Sequence, residues 1–119
     1  MADGFNYSII QKGPVAVVTL QGRLSKDSVA VLDKCQQELV GINSKNVILI
    51  FKDVDEVDHV AFRDLTLLQT NVRKNGKALF LAGLTPYLKK YLGDKGIIRD
   101  GECKGSLAEA LKATGIQVA

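Results

Sequence analysis

The hydrophobic positions along the chain follow two different spacings, which predict strands and helices in turn. Short runs rich in β-branched residues, such as Val15–Leu20 and Val47–Phe51, are typical of strands covered on both faces. Between these runs the apolar residues recur every three or four positions, which indicates amphipathic helices with one buried face. We predict strands at 5–10, 15–20, 47–51, 78–82 and 96–98, and helices at about 26–41, 61–75, 85–93 and 106–114.

The order of these elements, ββαβαβαβα, predicts an α/β fold with a mixed, mostly parallel sheet and about four helices. Strands that alternate with helices at this spacing form parallel sheets, and right-handed crossovers fix most of the connections. The inward faces of the first two helices test the prediction, because Leu32, Leu39, Leu65 and Leu68 should then be buried. No repeat or Pro/Ser-rich linker divides the 119 residues, so we expect one domain over 5–115.

Several residues have the chemistry of helix ends. The stretch Ser25-Lys26-Asp27-Ser28 offers a capping hydroxyl or carboxylate for the first helix, with Ser25 as one candidate. Ser106 is expected to cap the last helix, because a serine hydroxyl can accept a bond from a free amide of the first turn. Asn75-Gly76 should end the second helix in a left-handed conformation. Pro86 suits the first position of the third helix, where no amide hydrogen is needed.

Composition and charge exclude several classes of function. Hydrophobic residues make up 46% of the chain and charged residues 24%, which is typical of a folded domain rather than a disordered one. The formal net charge of +3 is too small to indicate nucleic-acid binding, and we expect none. The chain shows neither a secretory leader nor an apolar run long enough to span a membrane, so a cytoplasmic location is expected.

The chemistry of a catalytic or metal site is sparse. His59 is the one histidine, and Cys35 and Cys103 are too far apart in sequence for a zinc motif and are expected to be reduced thiols. The acidic stretch 53–58 is interpreted as a polar loop before a helix. It fails as a calcium loop, because Val57 and Asp58 occupy the positions that need an oxygen ligand and a glycine. We therefore expect no enzyme, metal or cofactor.

The segment that contains this stretch resembles the signature of STAS domains, the fold of anti-sigma factor antagonists. In that signature an apolar strand leads to "gVxxiDSSGlgvL" and a helix, and here the same place holds Val57-Asp58-His59-Val60-Ala61-Phe62-Arg63-Asp64-Leu65. Weaker matches follow the family's order: Gly22-Arg23-Leu24, Arg73–Leu79, Leu81–Pro86, Gly96-Ile97 and Ser106–Leu111. The resemblance extends from about Phe5 to Thr114.

This resemblance implies a non-enzymatic module that binds a protein, such as an anti-sigma factor or another serine-kinase-like regulator of bacterial signalling. The partner would contact the loop and the start of the second helix. Position by position, the implied partner-binding residues are Asp58, His59, Val60, Ala61, Arg63 and Asp64, beside a neighbouring loop with Gly22, Arg23 and Ser25. STAS domains also serve lipid and anion transport systems, so an accessory subunit of that kind, or a small-ligand module, is the alternative.

The sequence departs from the family where its regulatory switch would lie. That switch is phosphorylation of a Ser or Thr one or two residues after the signature aspartate, which Asp58 matches. His59 and Val60 occupy both hydroxyl positions, and Ala61 replaces the glycine, so we expect no phosphorylation at 59–60. The tip should present Val60 and Ala61 as a somewhat apolar surface. For Ser25, the role of helix cap is favoured over that of a relocated phosphosite. The partner's identity and weak homo-oligomerisation stay open.

Overall fold

The computed structural model describes residues 5–25, 28–58, 61–94 and 103–114, with the backbone alone at Asp55, Glu56 and Phe62. The order of its elements confirms the predicted ββαβαβαβα arrangement. The elements are β1 (Asn6–Lys12), β2 (Val15–Leu24), α1 (Val29–Gly41), β3 (Asn46–Val57), α2 (Phe62–Lys74), β4 (Ala78–Ala82), α3 (Pro86–Asp94), β5 (Cys103–Lys104) and α4 (Leu107–Ala113).

The strands form one mixed sheet in the order β1-β2-β3-β4-β5. β1 pairs with β2 in antiparallel fashion, and the remaining three pairs are parallel. Because helices connect the parallel strands, the carboxyl ends of β2, β3 and β4 and the starts of the helices that follow lie along one edge of the sheet. This confirms the predicted α/β class with a mostly parallel sheet.

The hydrophobic core lies on both faces of the sheet. Helices α1, α2 and α3 cover one face, onto which alternate β3 residues such as Val47, Leu49 and Phe51 project. Helix α4 covers the other face, where Ala110 packs in a cluster with Ile48. The residues chosen as the test of the inward helix faces are at most 1% exposed, which confirms that prediction: Leu32, Leu39, Leu65 and Leu68.

The helix ends agree with the sequence in three places. Gly76 has a φ of 75° after α2, and its amide donates to the carbonyl of Arg73 at 3.0 Å. Pro86 is the first residue of α3. The Ser106 hydroxyl accepts from the amide of Glu109 at 3.3 Å at the start of α4. These contacts satisfy groups that helix termini otherwise leave without partners.

The boundaries of other elements correct the prediction. Helix α1 begins at Val29, three residues later than expected. Strand β3 continues to Val57, so most of the acidic stretch interpreted as a loop is strand. The last strand was predicted at 96–98, which lies outside the described residues. Among the described residues, the strand that follows α3 is β5 at Cys103–Lys104.

Candidate functional site

The long strand β3 has an irregular pairing with β2 that gives the candidate site its shape. The register moves from Thr19↔Ile50 to Gln21↔Asp53, and from Gly22↔Val54 to Arg23↔Glu56. At each step β3 advances one residue more than β2, which is the definition of a β-bulge. The bulges turn the acidic end of β3 beside the end of β2.

These two bulges explain why an acidic segment can be a strand. A regular strand after Phe51 would bury every second residue, but here Phe51, Val54 and Val57 are buried, at intervals of three. Each bulge inserts one residue and so returns the following valine to the core. Asp53, between them, is exposed. The strand is therefore anchored by its valines.

Gly22 lies at one of these irregular steps, in β2. Its φ of 100° is in a region that side-chain-bearing residues rarely adopt, so the glycine permits the local geometry. Arg23, the next residue, is exposed, while Leu24 is fully buried. Arg23 therefore lies on the surface, between the irregular step at Gly22 and the buried side chain of Leu24.

A short hydrogen bond joins the two connections that follow β2 and β3. The amide of Asp58 donates to the carbonyl of Leu24 at 2.7 Å. The amide of Ala61 in turn donates to the carbonyl of Asp58 at 2.9 Å, which closes the turn into α2. Asp58 is half-buried at this junction. The bond places the segment that contains Gly22, Arg23 and Ser25 next to Asp58, but the prediction that this segment is a loop is wrong for Gly22 and Arg23, which belong to β2.

Ser28, rather than Ser25, organises the connection between β2 and α1. The Ser28 hydroxyl donates to the carbonyl of Arg23 at 2.7 Å and accepts from the amide of Ser25 at 3.1 Å. The amide of Ser28 donates to the Ser25 carbonyl at 2.9 Å. Ser28 holds the N-cap position of α1 but makes no capping bond with its side chain. The prediction that Ser25 caps α1 is therefore wrong.

The start of α2 presents charge, although Ala61 does not contribute to the surface. Ala61 is the N-cap residue and is fully buried, so the expectation that it forms part of an exposed tip is wrong. Arg63 is exposed and Asp64 is half-buried in the first turn, where its carboxylate interacts favourably with the helix dipole. His59 and Val60 lie outside the described residues.

One exposed apolar residue of α2 was missed by the sequence analysis. Leu67 is 45% exposed, one helical turn after Arg63, whereas its neighbour Leu68 is fully buried. The signal is present in the sequence, because Leu67 falls outside the inward pattern of Leu65, Leu68 and Val72. We name the surface formed by Arg23, Asp58, Arg63, Asp64 and Leu67 the α2 surface.

The α2 surface mixes charged and apolar side chains. Within the described ranges, no three His, Cys, Asp or Glu side chains lie close enough together to hold a metal ion. The surface combines two arginines, two carboxylates and one apolar side chain, and of these residue types arginine is enriched at protein interfaces. Among the helices that the structure describes, none is long and apolar enough to cross a membrane.

The sheet order and the placement of the helices match known protein structures. An anti-sigma factor antagonist from Mycobacterium paratuberculosis is similar over 98% of both chains, with a TM-score of 0.82 and 15% identity. The unphosphorylated form of the anti-sigma factor antagonist SpoIIAA has a TM-score of 0.74 and 15% identity, over 94% of this chain and 99% of that chain. The chain has the STAS fold.

The same STAS fold occurs within a larger membrane protein. The murine anion transporter Slc26a9 matches 96% of this chain over 22% of its own length, with a TM-score of 0.76 and 18% identity. SpoIIAA of Bacillus also has a structure in a phosphorylated form. No protein-family model and no curated protein matches the sequence. At these identities the likeness establishes the fold.

Proposed function

We propose that this protein is a non-enzymatic interaction module of bacterial signalling that binds a regulatory protein in the cytoplasm through the α2 surface. The observation that carries the proposal is the convergence of two charged connections with the exposed side of α2, joined by the bond from Asp58 to Leu24. The STAS fold of anti-sigma factor antagonists supports it. An anti-sigma factor or a related serine-kinase-like regulator is the proposed partner.

The proposed module differs from a phosphorylation-controlled one in its chemistry at the start of α2. The chain runs Asp58-His59-Val60-Ala61, and none of these side chains offers a hydroxyl. A phosphate there would add about −1.5 to −2 charges to the interface and expel a partner fitted to the unmodified surface. Without a hydroxyl for a serine kinase to modify, binding would be controlled by the concentration or state of the partner.

The first experiment measures partner binding by variants of the α2 surface. The partner is isolated by co-purification with the full chain from its native host, and affinity is measured by titration calorimetry. We expect Arg63→Glu and Leu67→Ala each to weaken binding at least about tenfold, because exposed apolar and arginine side chains at the centre of an interface contribute most of its energy.

The matched control reverses a charge on the opposite face of the sheet. Lys112 is exposed in the last turn of α4, so Lys112→Glu makes the same change in net charge as Arg63→Glu. Its affinity should equal that of the wild type, and thermal melts should show all three variants folded. Equal affinities for the wild type, Arg63→Glu and Leu67→Ala would refute the proposed interface.

A second pair of variants tests the tip itself. Val60→Asp places a carboxylate where a phosphorylated STAS tip carries its charge, and we expect the affinity to fall at least about 100-fold. Val60→Ala removes only a small apolar group and should weaken binding far less. Peptide mapping by tandem mass spectrometry after incubation with a co-purified serine kinase should show no phosphate on residues 59–60. Tight binding by Val60→Asp would show that the partner does not contact residue 60.

The alternative function is an accessory STAS subunit of a lipid or anion transport system. The observation that favours it is the similarity to part of Slc26a9. Co-purification separates the two proposals, because a transporter or its ATPase would be recovered instead of a kinase-like regulator. The variants Arg63→Glu and Lys112→Glu then report whether the same surface is used.

A further inference from the structure

The two edges of the sheet differ in how they are protected. The edge at β5 is a strand of two residues, too short to template another strand. The edge at β1 is a strand of seven residues that pairs with β2 on one side only, and nothing in the described part of the chain pairs with its outer side. Such an edge carries main-chain donors and acceptors ready for another strand.

The side chains of β1 do little to block that pairing. Ser8 and Ile10 are exposed, and Ile10 shows 54% of its surface to solvent. Of the seven residues only Lys12, at the end of the strand, is charged, and the strand has no proline. Natural edge strands are usually guarded by central charges, prolines or bulges, so this edge is permissive.

A groove of about 660 Å³ lies beside this edge, between β1 and α1. Its lining includes Ala30, Val31, Lys34 and Glu38 from α1 and Tyr7 from β1. The Tyr7 hydroxyl donates to the Glu38 carboxylate at 2.8 Å, which fixes that carboxylate beside the strand. Lys34 is exposed one helical turn before Glu38. The groove thus carries a fixed negative charge and a positive charge on one helix.

We propose that a second copy of this chain occupies the groove, with the two β1 strands pairing antiparallel across a two-fold axis perpendicular to the sheet. This operation continues the sheet from five strands to ten and keeps both α1 helices on the same face. The two β1 strands would lie about 4.8 Å apart, and the two-fold axis makes the two α1 helices antiparallel on the same face of the sheet.

Charge complementarity favours a second copy over an unrelated peptide. In a two-fold interface each contact between two different residues occurs twice, once in each direction. Lys34 and Glu38 are four residues apart, about 6 Å along the helix, so a two-fold axis level with the middle of this pair places Lys34 of each copy opposite Glu38 of the other. The small or half-buried side chains of Ala30 and Val31 allow the close approach of the helices.

The edge is tested by sedimentation of the full chain over a concentration series from about 10 μM to 1 mM. We expect a concentration-dependent dimer for the wild type. The double variant Ser8→Lys/Ile10→Lys changes only exposed positions and sets like charges opposite one another across the strands, so its dissociation constant should rise at least about tenfold. Lys89→Glu on α3, which is also exposed, is the control and should dimerise normally.

The helix contact is tested by mixing two charge variants. Lys34→Glu alone and Glu38→Lys alone should each be monomeric, because like charges then meet across the axis. Their equimolar mixture should form a heterodimer, since every contact again joins opposite charges. A monomeric wild type, a dimer that survives Ser8→Lys/Ile10→Lys, or a mixture that stays monomeric while both variants are folded would each overturn the proposal.

Discussion

The two cysteine side chains have different surroundings, although both are free thiols. Cys35 is fully buried on the inward side of α1. Burial, and secondarily the negative charge of Glu38, raise the pKa of the Cys35 thiol to about 12. Cys103 lies half-buried in β5 at the edge of the sheet. Because the thiolate is the reactive form, burial and pKa together make Cys35 inert at neutral pH.

The thiol environments predict selective labelling. At pH 7.5 a maleimide should modify Cys103 and leave Cys35 unreacted, and both should react in denaturant. Peptide mapping by mass spectrometry identifies the labelled residue, and Cys103→Ala supplies the control, since its native form should take up no label. Rapid labelling of Cys35 in the native Cys103→Ala variant would contradict the packing of α1.

At the connection between β2 and α1, the hydroxyl of a single serine joins two segments. Ser28 is 3% exposed, and its hydroxyl satisfies the Arg23 carbonyl and the Ser25 amide together. We expect Ser28→Ala to lower the free energy of unfolding by about 1–3 kcal/mol, because both groups lose their partner in a confined place. Urea denaturation monitored by circular dichroism measures the loss.

The matched control for this serine is its neighbour. Ser25→Ala removes a half-buried hydroxyl that does not cap α1, so the free energy of unfolding should change by no more than about 0.5 kcal/mol. A loss as large as that of Ser28→Ala would restore Ser25 to the capping role that the sequence suggested.

At the scale of the elements, the helices were predictable because their periodicity is uninterrupted, and β3 was not. The inward pattern of α2 keeps the spacing of three and four that a buried helix face requires. In β3 the two bulges replace the two-residue period by intervals of three at Phe51, Val54 and Val57. The local sequence of β3 contains no mark of a bulge, which depends on pairing with β2, so the sequence alone predicts a loop at the acidic stretch.

The candidate site shows the same division. The match of Asp58 to the STAS signature selected the connection and the helix of the candidate site, and partner binding there stays a prediction. The burial of Ala61 was not predictable, because it depends on how closely the turn from Asp58 packs against the core. Leu67 was overlooked because a single exposed leucine is common on helices and carries no signal until its neighbours are placed.

Adjacent leucines of α2 allow a test in which only the side-chain environment differs. Leu68 is fully buried, and Leu67 is 45% exposed. Leu68→Ala should lower the free energy of unfolding by about 2–5 kcal/mol, because it leaves a cavity in the core. Leu67→Ala should change it by about 0.5 kcal/mol or less while it weakens partner binding. Similar losses from both substitutions would show that α2 is rotated relative to this structure.

At the scale of the whole molecule, two surfaces lie at different sides of the sheet and can bind independently. The α2 surface lies at the carboxyl ends of the central strands, whereas the open edge of β1 and its groove lie at one side of the sheet. Helix α1 links them, since it begins after Ser28 near the first surface and carries Lys34 and Glu38 along the second. A dimer formed through β1 would therefore leave both α2 surfaces accessible to partners.

The groove also makes the stability of the whole fold sensitive to alkaline pH. Burial, and then the hydrogen bond to and the charge of Glu38, raise the pKa of Tyr7 to about 12 from its ordinary value of 10.0. Cys35 rises to a pKa of about 12 from 9.0. In both cases the folded state holds the proton more tightly than the unfolded chain does. The resulting stabilisation is fully present below about pH 9 and is lost as the pH rises towards 12.

We therefore expect the free energy of unfolding to fall between pH 9 and pH 12 more steeply for the wild type than for Tyr7→Phe or Cys35→Val. Urea denaturation at half-unit pH intervals measures the slope, and comparison with Leu67→Ala, which changes no titrating group, controls for the mutation itself. Tyr7→Phe removes one group whose proton is released on unfolding, so its curve should be shallower even if its stability at pH 7 is lower. If all four proteins lose stability in parallel above pH 9, groups other than Tyr7 and Cys35 govern the alkaline transition, and the Tyr7–Glu38 contact does not shape the pH response of the fold.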